Sequence, residues 1–330
     1  MTDPWDNLYD PELAALIAWC RQRALPSGPF PDLAPAPGQD RAEWAQAVAV
    51  VRARHDAGAL VAGQLSAAIL PAPPAAWARV SPRWCAIEVA GGVIGAQVYR
   101  PEGPGPFPIV LLIHGGAFWM GGGAAGFHLN DRLCRQITAE VGAVTVTVDH
   151  RLAPEHPYPT PLEDTYQAIL WAVEQAGQLE ADPGRLALFG ISSGGNLACA
   201  AAQLSLDRGG PSITAQVLQC PSLDLSWAAA RFEADSTTVA GAEAIIRMYA
   251  AGADCAGAPV SPGLRQDLSQ TPPTLLVTAQ FDHLAGDALA YARRLEAAGR
   301  PVTTHCYPMT HTVATPAVFT RMHHQTMAWL

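Results

Sequence analysis

From residue 84 onward, short apolar runs of strand length alternate with longer segments whose apolar residues recur at helical spacing. Residues 85–99 contain Gly91-Gly92 between two such runs, which predicts a β-hairpin. Further strands are predicted at 108–113, 143–148, 185–189, 215–219, 274–279 and 302–307, and helices at 127–141, 161–176, 285–298 and from 316 onward. A hairpin followed by alternating strands and helices is typical of a mostly parallel sheet with helices on both faces.

The first eighty residues precede this alternation and predict helices joined by a proline-rich loop. Apolar residues recur at helical spacing over 11–23, and prolines and glycines fill 32–40. The segment 41–70 is rich in alanine and valine and predicts a long helix, with Gly58 and Gly63 as candidate breaks. The apolar faces of these helices require a surface to cover.

A serine between a predicted strand and a predicted helix is the strongest chemical signal in the chain. Ser192 is the centre of a Gly-x-Ser-x-Gly motif, between the apolar run 185–189 and a helix that begins near Ser193. A sharp turn here would expose the Ser192 hydroxyl, and Gly190 and Gly194 lack the β-carbons that would clash in it. The pattern predicts a nucleophile; the alternative is an ordinary turn, where glycine and serine are also common.

A glycine-rich stretch, 114–121, comes soon after the first strand that follows the hairpin. In an acyl-transfer enzyme the N–H groups of Gly115 and Gly116, with that of Ser193, would hold an oxyanion. The glycines that come next also fit a dinucleotide fingerprint, with Asp149 in the place of the ribose-binding acid. That fingerprint should begin directly after the strand, so the bulky residues in between favour the oxyanion interpretation.

Composition excludes several other functions. The net charge of −9 and the lack of a basic cluster argue against nucleic acid and anionic membrane surfaces as partners. Seven cysteines are scattered without a Cys-x-x-Cys, so neither a zinc knuckle nor a redox pair is predicted; Cys199 and Cys220 are expected to be buried thiols.

The N-terminus lacks an export signal and no run approaches the length of a membrane span, which predicts a cytoplasmic location. No metal or organic cofactor is implied.

Three longer motifs stand in a fixed order along the chain. They are His-Gly-Gly-Ala-Phe at 114–118, Asp-His-Arg-Leu-Ala-Pro-Glu-His-Pro-Tyr-Pro at 149–159 and Gly-Ile-Ser-Ser-Gly-Gly-Asn-Leu-Ala at 190–198, with further support from Ser261-Pro262 and Pro272-Pro273. From about residue 84 to 319 the chain resembles the hormone-sensitive-lipase-like serine esterases, bacterial family IV of the α/β-hydrolase fold. The resemblance implies that fold with a helical cap, and the chain order nucleophile, acid, histidine.

The resemblance also indicates the partners of the serine. Asp282 follows the predicted strand 274–279 where the family places its acid, and His311 follows the strand 302–307 where the family places its base. Asp224, after the preceding strand, is an alternative acid that some relatives of the fold use. The other histidines, including those inside predicted strands and helices, are expected to be structural.

Domain boundaries follow from where the core pattern begins. Residues 1–80 are predicted to form an N-terminal helical cap segment, with a packing appendage as the alternative. Residues 81–330 are predicted to form the catalytic domain. Within it, 224–267 lies between two core strands and is predicted to be a cap insertion above the carboxyl edge of the sheet, where ligands bind in such sheets.

We predict a serine carboxylesterase that hydrolyses small to medium acyl esters through an acyl-enzyme intermediate, with a small-molecule ester as its partner and a homodimer left open. Four aromatic residues are candidate pocket walls, with ordinary packing as the alternative: Phe118, Trp119, Trp227 and Tyr249.

Ile191, Ser193 and Thr312-Val313 depart from the family pattern beside the site. These departures leave open a non-hydrolytic biosynthetic enzyme of the same fold, a cyclase, dehydratase or acyltransferase. A catalytically silent binding protein is the third alternative.

Overall fold

The structure is a computed structural model that describes residues 5–23, 33–35, 38–226 and 236–330. Within these residues, eight strands form one sheet in the order β1-β2-β4-β3-β5-β6-β7-β8. The strands are β1 (Arg83–Val89), β2 (Gly92–Tyr99), β3 (Phe107–Ile113), β4 (Val144–Val148), β5 (Ala181–Ile191), β6 (Ala215–Gln219), β7 (Thr274–Phe281) and β8 (Val302–Thr310). Strand β2 runs antiparallel to both neighbours and the other pairs are parallel, which confirms a mostly parallel sheet opened by a hairpin.

Helices connect the strands and precede the sheet. They are α1 (Pro11–Gln22), α2 (Arg41–Ile69), α3 (Ala75–Arg79), α4 (Gly123–Gln136), α5 (Thr160–Glu174), α6 (Ala176–Leu179), α7 (Ser193–Asp207), α8 (Ser236–Ala250), α9 (Ala285–Ala297) and α10 (Pro316–Trp329). The short helices α3 and α6 were not predicted by the periodicity, and α4 continues into a π-helical turn at Ile137–Val141. In the described part of the chain, no helix has the length and apolarity needed to cross a bilayer.

Strand β3 shows how the core is built on both faces of the sheet. Ile109, Leu111 and Ile113 lie in one apolar cluster together with residues of α5, α7 and α9. Val110 and Leu112 point the other way, into a cluster with residues of α4 and α10. Because both faces of this strand are covered, its sequence is apolar at consecutive positions rather than at alternate ones.

Strands β7 and β8 extend further toward the carboxyl edge of the sheet than their apolar patterns predicted. Beyond an irregularity in the register, Phe281 still pairs with Thr310. Polar residues at these ends remain in strands because their backbone groups find hydrogen-bond partners on the neighbouring strand. The extension brings Asp282 and His311, the residues that follow, to the ends of two adjacent parallel strands.

Helix α2 is one uninterrupted helix of 29 residues, so the expectation of a break at Gly58 or Gly63 is wrong. A β-carbon at Gly63 would lie 2.8 Å from Leu129 Cδ2 of α4. The glycine therefore permits close packing of α2 on α4. That packing offsets the low helix propensity of glycine, which costs about 1 kcal/mol relative to alanine.

Candidate active site

Ser192 occupies a sharp turn between β5 and α7. Its φ of 56° and ψ of −119° lie in a region that non-glycine residues rarely adopt. The turn depends on two glycines, because a β-carbon at Gly190 would lie 2.3 Å from the Gly194 carbonyl oxygen and one at Gly194 would lie 2.2 Å from the Ile113 carbonyl oxygen. Backbone strain of this kind costs about 1–3 kcal/mol and persists where the surrounding structure enforces it, often at functional sites.

Ser192, His311 and Asp282 form a continuous hydrogen-bonded chain. His311 Nε2 lies 2.9 Å from Ser192 Oγ, and His311 Nδ1 lies 2.7 Å from Asp282 Oδ2. The other carboxylate oxygen of Asp282 accepts a hydrogen bond from the Leu284 N–H at 3.0 Å, which fixes its orientation. Asp282 is 5% exposed, whereas His311 is 33% exposed. In this geometry the imidazole can take the hydroxyl proton while the carboxylate orients the ring.

The acid and the histidine shift each other's proton affinity in opposite directions. Burial alone would lower the pKa of His311, but the charge of Asp282 and the hydrogen bond to it outweigh burial and raise that pKa above its ordinary value. Burial would likewise raise the pKa of Asp282, but the charge and hydrogen bond of His311, together with the Leu284 N–H, hold it below its usual range. The pair therefore stabilises an imidazolium facing a carboxylate, the state that forms when Ser192 loses its proton.

Asp224, the alternative acid, makes different contacts. Its carboxylate accepts hydrogen bonds from the N–H and the hydroxyl of Ser226, at 2.9 and 2.6 Å. The carboxylate at His311 Nδ1 is that of Asp282. His305 lies inside β8, as the sequence predicted.

Two of the three predicted oxyanion donors, Gly115 and Ser193, lie directly beside Ser192. Residues 114–121 are called the oxyanion loop below. A β-carbon at Gly115 would lie 3.1 Å from Ser192 Cβ and 2.8 Å from the Ile191 carbonyl oxygen, so the Gly115 main chain contacts the serine turn directly. Ser193 is the first residue of α7, and an N–H in the first turn has no acceptor within its helix. The Ser193 N–H lies at the positive end of the α7 dipole, which favours a negative oxygen.

Two buried histidines stack at the start of the oxyanion loop, of which His114 is the first residue. The rings of His114 and His150 stack with centroids 4.2 Å apart and planes 7° from parallel. Burial, together with the neighbouring His150, lowers the pKa of His114 to about 3, and burial lowers the pKa of His150 as well. Both rings are therefore neutral at physiological pH, and His114 Nδ1 lies 2.7 Å from the Gly115 carbonyl oxygen of the oxyanion loop.

Cys220 lies beside the acid and the histidine, and no sequence motif pointed to it. Its Sγ, a carboxylate oxygen of Asp282 and a ring nitrogen of His311 all lie within 4.8 Å of one another. Cys220 is 3% exposed and Cys199 is 1% exposed, which confirms the predicted burial of both thiols. The pKa of the Cys220 thiol is raised well above its ordinary value, mainly by burial and also by the negative charge of the nearby Asp282. Zinc accepts ligands of these three types, but Asp282 and His311 are hydrogen-bonded to each other at 2.7 Å, which favours an orienting role of the carboxylate over metal binding.

Three of the four aromatic residues predicted to wall the pocket lie in the described part of the chain. Phe118 stacks on Tyr249 with ring centroids 3.8 Å apart. Trp119 is fully buried in a cluster that α2 and α8 share. Trp227 lies outside the described residues. A contact of these rings with substrate stays a prediction.

Comparison with known proteins identifies the family to which the chain belongs. Residues 110–315 match the alpha/beta hydrolase fold family. Esterase LipI of Mycobacterium tuberculosis is 38% identical over 229 residues, which cover 67% of this chain and 70% of LipI. Carboxylesterase NlhH of the same species is 37% identical over 201 residues, or 58% of this chain and 61% of NlhH. The chain belongs to the α/β-hydrolase fold family.

Solved structures agree with this assignment. Esterase LipW from Mycobacterium marinum superposes with a TM-score of 0.75 at 26% identity, covering 99% of this chain and 97% of LipW. A hyperthermophilic esterase from Pyrobaculum calidifontis gives a TM-score of 0.70 at 29% identity, covering 86% of this chain and 91% of its own. These relatives confirm the resemblance to the hormone-sensitive-lipase-like branch and the predicted class, a serine ester hydrolase.

The raised pKa of His311 predicts how ester turnover depends on pH. Only a neutral imidazole accepts the Ser192 proton, so kcat/KM should fall as the pH drops through the pKa of His311. Because Asp282 raises that pKa, the midpoint should lie above the ordinary histidine value of about 6.5. The profile is measured with a short-chain chromogenic ester whose own hydrolysis is subtracted at each pH. A midpoint clearly below the ordinary value would contradict this electrostatic account.

Proposed function

We propose that this chain is a serine carboxylesterase acting on small to medium acyl esters, with Ser192, His311 and Asp282 as its catalytic triad. The observation that carries the proposal is the hydrogen-bonded chain of these three residues, at 2.9 and 2.7 Å. Ser192 Oγ attacks the carbonyl carbon of the ester while His311 Nε2 accepts the hydroxyl proton. Asp282 holds the ring in the required tautomer and stabilises the imidazolium that results.

The negative charge then develops on the former carbonyl oxygen, which accepts hydrogen bonds from the N–H groups of Gly115, Gly116 and Ser193. One such donor lowers the barrier by about 2.7–4 kcal/mol. His311 returns the proton to the leaving alkoxide oxygen as the ester C–O bond breaks, which leaves an acyl-enzyme. A water molecule, deprotonated by the same imidazole, attacks the acyl carbon, and Ser192 takes the proton back as the acid departs.

The two cap segments of the proposal are residues 1–80 and 224–267. Their support is an apolar cluster in which Val48 of α2 and Ile245 and Met248 of α8 enclose Trp119 of the oxyanion loop. Both segments therefore meet beside the proposed oxyanion donors, where the acyl or alcohol group of a substrate would lie. We assign the walls of the substrate pocket to these segments and to the Phe118–Tyr249 stack.

Hydrolysis is favoured over the other two functions considered. A complete triad supports an enzyme rather than a silent binding protein, since binding alone requires no proton relay. The relatives named esterase or carboxylesterase support hydrolysis rather than a cyclase, dehydratase or acyltransferase reaction. A homodimer and a cytoplasmic location stay predictions from the sequence.

Replacement of the nucleophile tests the function itself. Ser192→Ala should abolish ester turnover while leaving the thermal unfolding midpoint close to that of the unchanged protein, because Ser192 is not among the buried core residues. Hydrolysis of a short-chain chromogenic ester gives the activity, and labelling with an organophosphonate, detected by mass, gives the site of covalent attack. Activity in the purified variant above that of a mock preparation would exclude Ser192 as the nucleophile.

The identity of the acid is tested by a matched pair of variants. Asp282→Asn keeps the size of the side chain but stabilises the wrong tautomer of His311, and it should lower kcat by about 10⁴. Asp224→Asn, whose contacts are to Ser226, should change kcat little. Both values come from initial rates at saturating ester. If the two variants ranked in the opposite order, the acid would belong to the earlier strand.

The pocket assignment predicts a change in chain-length preference. Tyr249→Ala removes one ring of the Phe118–Tyr249 stack and should move the optimum toward longer acyl chains, since each newly accommodated methylene contributes up to about 0.8 kcal/mol. Tyr249→Phe is the control because, among the described residues, the buried Tyr249 hydroxyl has no hydrogen-bond partner. The test compares kcat/KM over a series of p-nitrophenyl esters. If kcat/KM fell equally for all chain lengths, the Phe118–Tyr249 stack would have a packing role and would not form a wall of the substrate pocket.

A further inference from the structure

The backbone of the oxyanion loop adopts a strained conformation that requires contacts with neighbouring residues. Three consecutive residues have positive φ values: Gly116 at 125°, Ala117 at 50° and Phe118 at 66°. Residues with a β-carbon seldom adopt such values, and they keep them only when neighbouring groups enforce the conformation. Contacts that hold the loop therefore decide where its N–H groups point.

Arg52 of α2 supplies several of these contacts. Its Nε–H donates to the Trp119 carbonyl oxygen, and one terminal nitrogen donates to the Ala153 carbonyl oxygen at 2.8 Å. The guanidinium also binds the Glu155 carboxylate through both terminal nitrogens, at 2.9 and 2.6 Å. The Ala153 N–H in turn donates to the Phe118 carbonyl oxygen at 3.0 Å. One side chain thus fastens the oxyanion loop and the adjacent 149–159 segment to α2.

Asp56 holds the same loop one helical turn further along α2. Its Oδ1 accepts a hydrogen bond from the Gly121 N–H at 3.0 Å. Positions four residues apart lie on the same face of a helix, so Arg52 and Asp56 present a donor and an acceptor side by side. Between them, the His55 ring packs edge-on against Trp119, with centroids 5.5 Å apart.

The end of the oxyanion loop that Asp56 contacts packs directly against the end that carries the proposed donors. A β-carbon at Gly121 would lie 2.7 Å from the Gly115 carbonyl oxygen, and one at Gly116 would lie 1.9 Å from the Met120 carbonyl oxygen. With so little space between them, Gly121 and Met120 cannot shift without moving Gly115 and Gly116. The contacts of α2 are therefore transmitted to the N–H groups beside Ser192.

We propose that Arg52 and Asp56 are positioning residues for ester hydrolysis, through which α2 sets the oxyanion loop at the distance from Ser192 that the transition state requires. The inference rests on the proposed function. It assigns α2 a role in the rate of the chemical step, separate from any role of the cap in binding substrate. Misplaced oxyanion donors raise the barrier without weakening the binding of the intact ester, because the oxyanion exists only after attack.

The test uses four variants of the full chain: Arg52→Met, Arg52→Lys, Asp56→Ala and Asp56→Asn. Arg135→Met is the matched control, because Arg135 also binds two carbonyl groups, those of Trp77 and Val80, and one carboxylate, that of Asp131. It lies in the last turn of α4, about 18 Å along the helix axis from the end that follows the oxyanion loop. Arg54→Met, at an exposed position of α2, controls for loss of charge on that helix.

Three quantities are measured for each variant. The first is kcat/KM for a short-chain ester, and the second is the Ki of an alkyl trifluoromethyl ketone, which forms a tetrahedral oxyanion adduct with the serine. The third is the Kd of the intact ester, determined with Ser192→Ala added to each variant. Thermal unfolding reports stability separately.

Arg52→Met and Asp56→Ala should lower kcat/KM by about 10- to 100-fold, less than removal of a whole donor, and raise Ki by a similar factor. The ester Kd should stay within about twofold of the starting protein, as expected for groups that act only in the transition state. Asp56→Asn keeps an acceptor for the Gly121 N–H and should retain most of the activity. Arg52→Lys should lose part of it, because an ammonium does not reproduce the planar fork of donors.

Several results would overturn the inference. One is a loss of kcat/KM no larger than that of Arg135→Met, and another is an unchanged Ki. A rise in ester Kd that accounts for the whole loss would make α2 a substrate-binding wall instead. If the larger substitutions prevent folding, full activity of Arg52→Lys would be incompatible with the Arg52 contribution. Failure of the proposed function is distinct: the unchanged protein would then neither hydrolyse esters nor bind the ketone.

Discussion

The backbone of Ser192 holds its positive φ because three chain segments approach one another more closely than side chains permit. Gly190 meets the Gly194 carbonyl, and Gly194 meets the carbonyl oxygens of Ile113 and His114, at the end of β3. Since β3 and β5 are neighbours in the sheet, the contact that makes the serine turn possible also places the oxyanion loop beside it. The proposed nucleophile and the proposed oxyanion donors are thus positioned by one packing constraint.

A second constraint, the pairing of β7 with β8, positions Asp282 and His311 on the other side of the site. The pairing of β7 with β8 continues to Phe281 and Thr310, so that Asp282 and His311 leave the sheet next to each other. Their opposite pKa shifts are two expressions of the same attraction, which acts at short range and is little weakened by solvent at the buried carboxylate. Because the charges of the pair are favoured in advance, little reorganisation is required when the imidazole becomes protonated.

The N-terminal segment contacts both of these sides. Near α1, the Trp5 ring packs on His283 with centroids 4.5 Å apart, and Tyr9 packs edge-on against Phe281, next to the proposed acid. Helix α2 contacts the oxyanion loop through Arg52 and Asp56. The proposed cap and a packing element, which were alternatives for this segment, are therefore compatible, because the N-terminal segment makes structural contacts with the loops of the site. Removal of the whole segment would disturb the loops and the pocket together, so single substitutions separate the two roles.

The sequence by itself predicted the strands, the longer helices and the serine turn, and the family resemblance indicated the other two residues of the proposed triad. These features depend on local patterns: apolar periodicity, glycines at a sharp turn, and motifs in a fixed order. It did not determine that β7 and β8 extend beyond their apolar runs, that α2 is unbroken at Gly63, or that Cys220 lies beside Asp282. Nor did any motif indicate Arg52 or Asp56, whose contacts with the oxyanion loop are to main-chain groups more than sixty positions away. Backbone carbonyl and N–H groups are the same in every residue, so a side chain that binds them leaves no complementary residue in the sequence. Only the tertiary structure, by bringing α2 against the oxyanion loop, decided which groups those side chains meet.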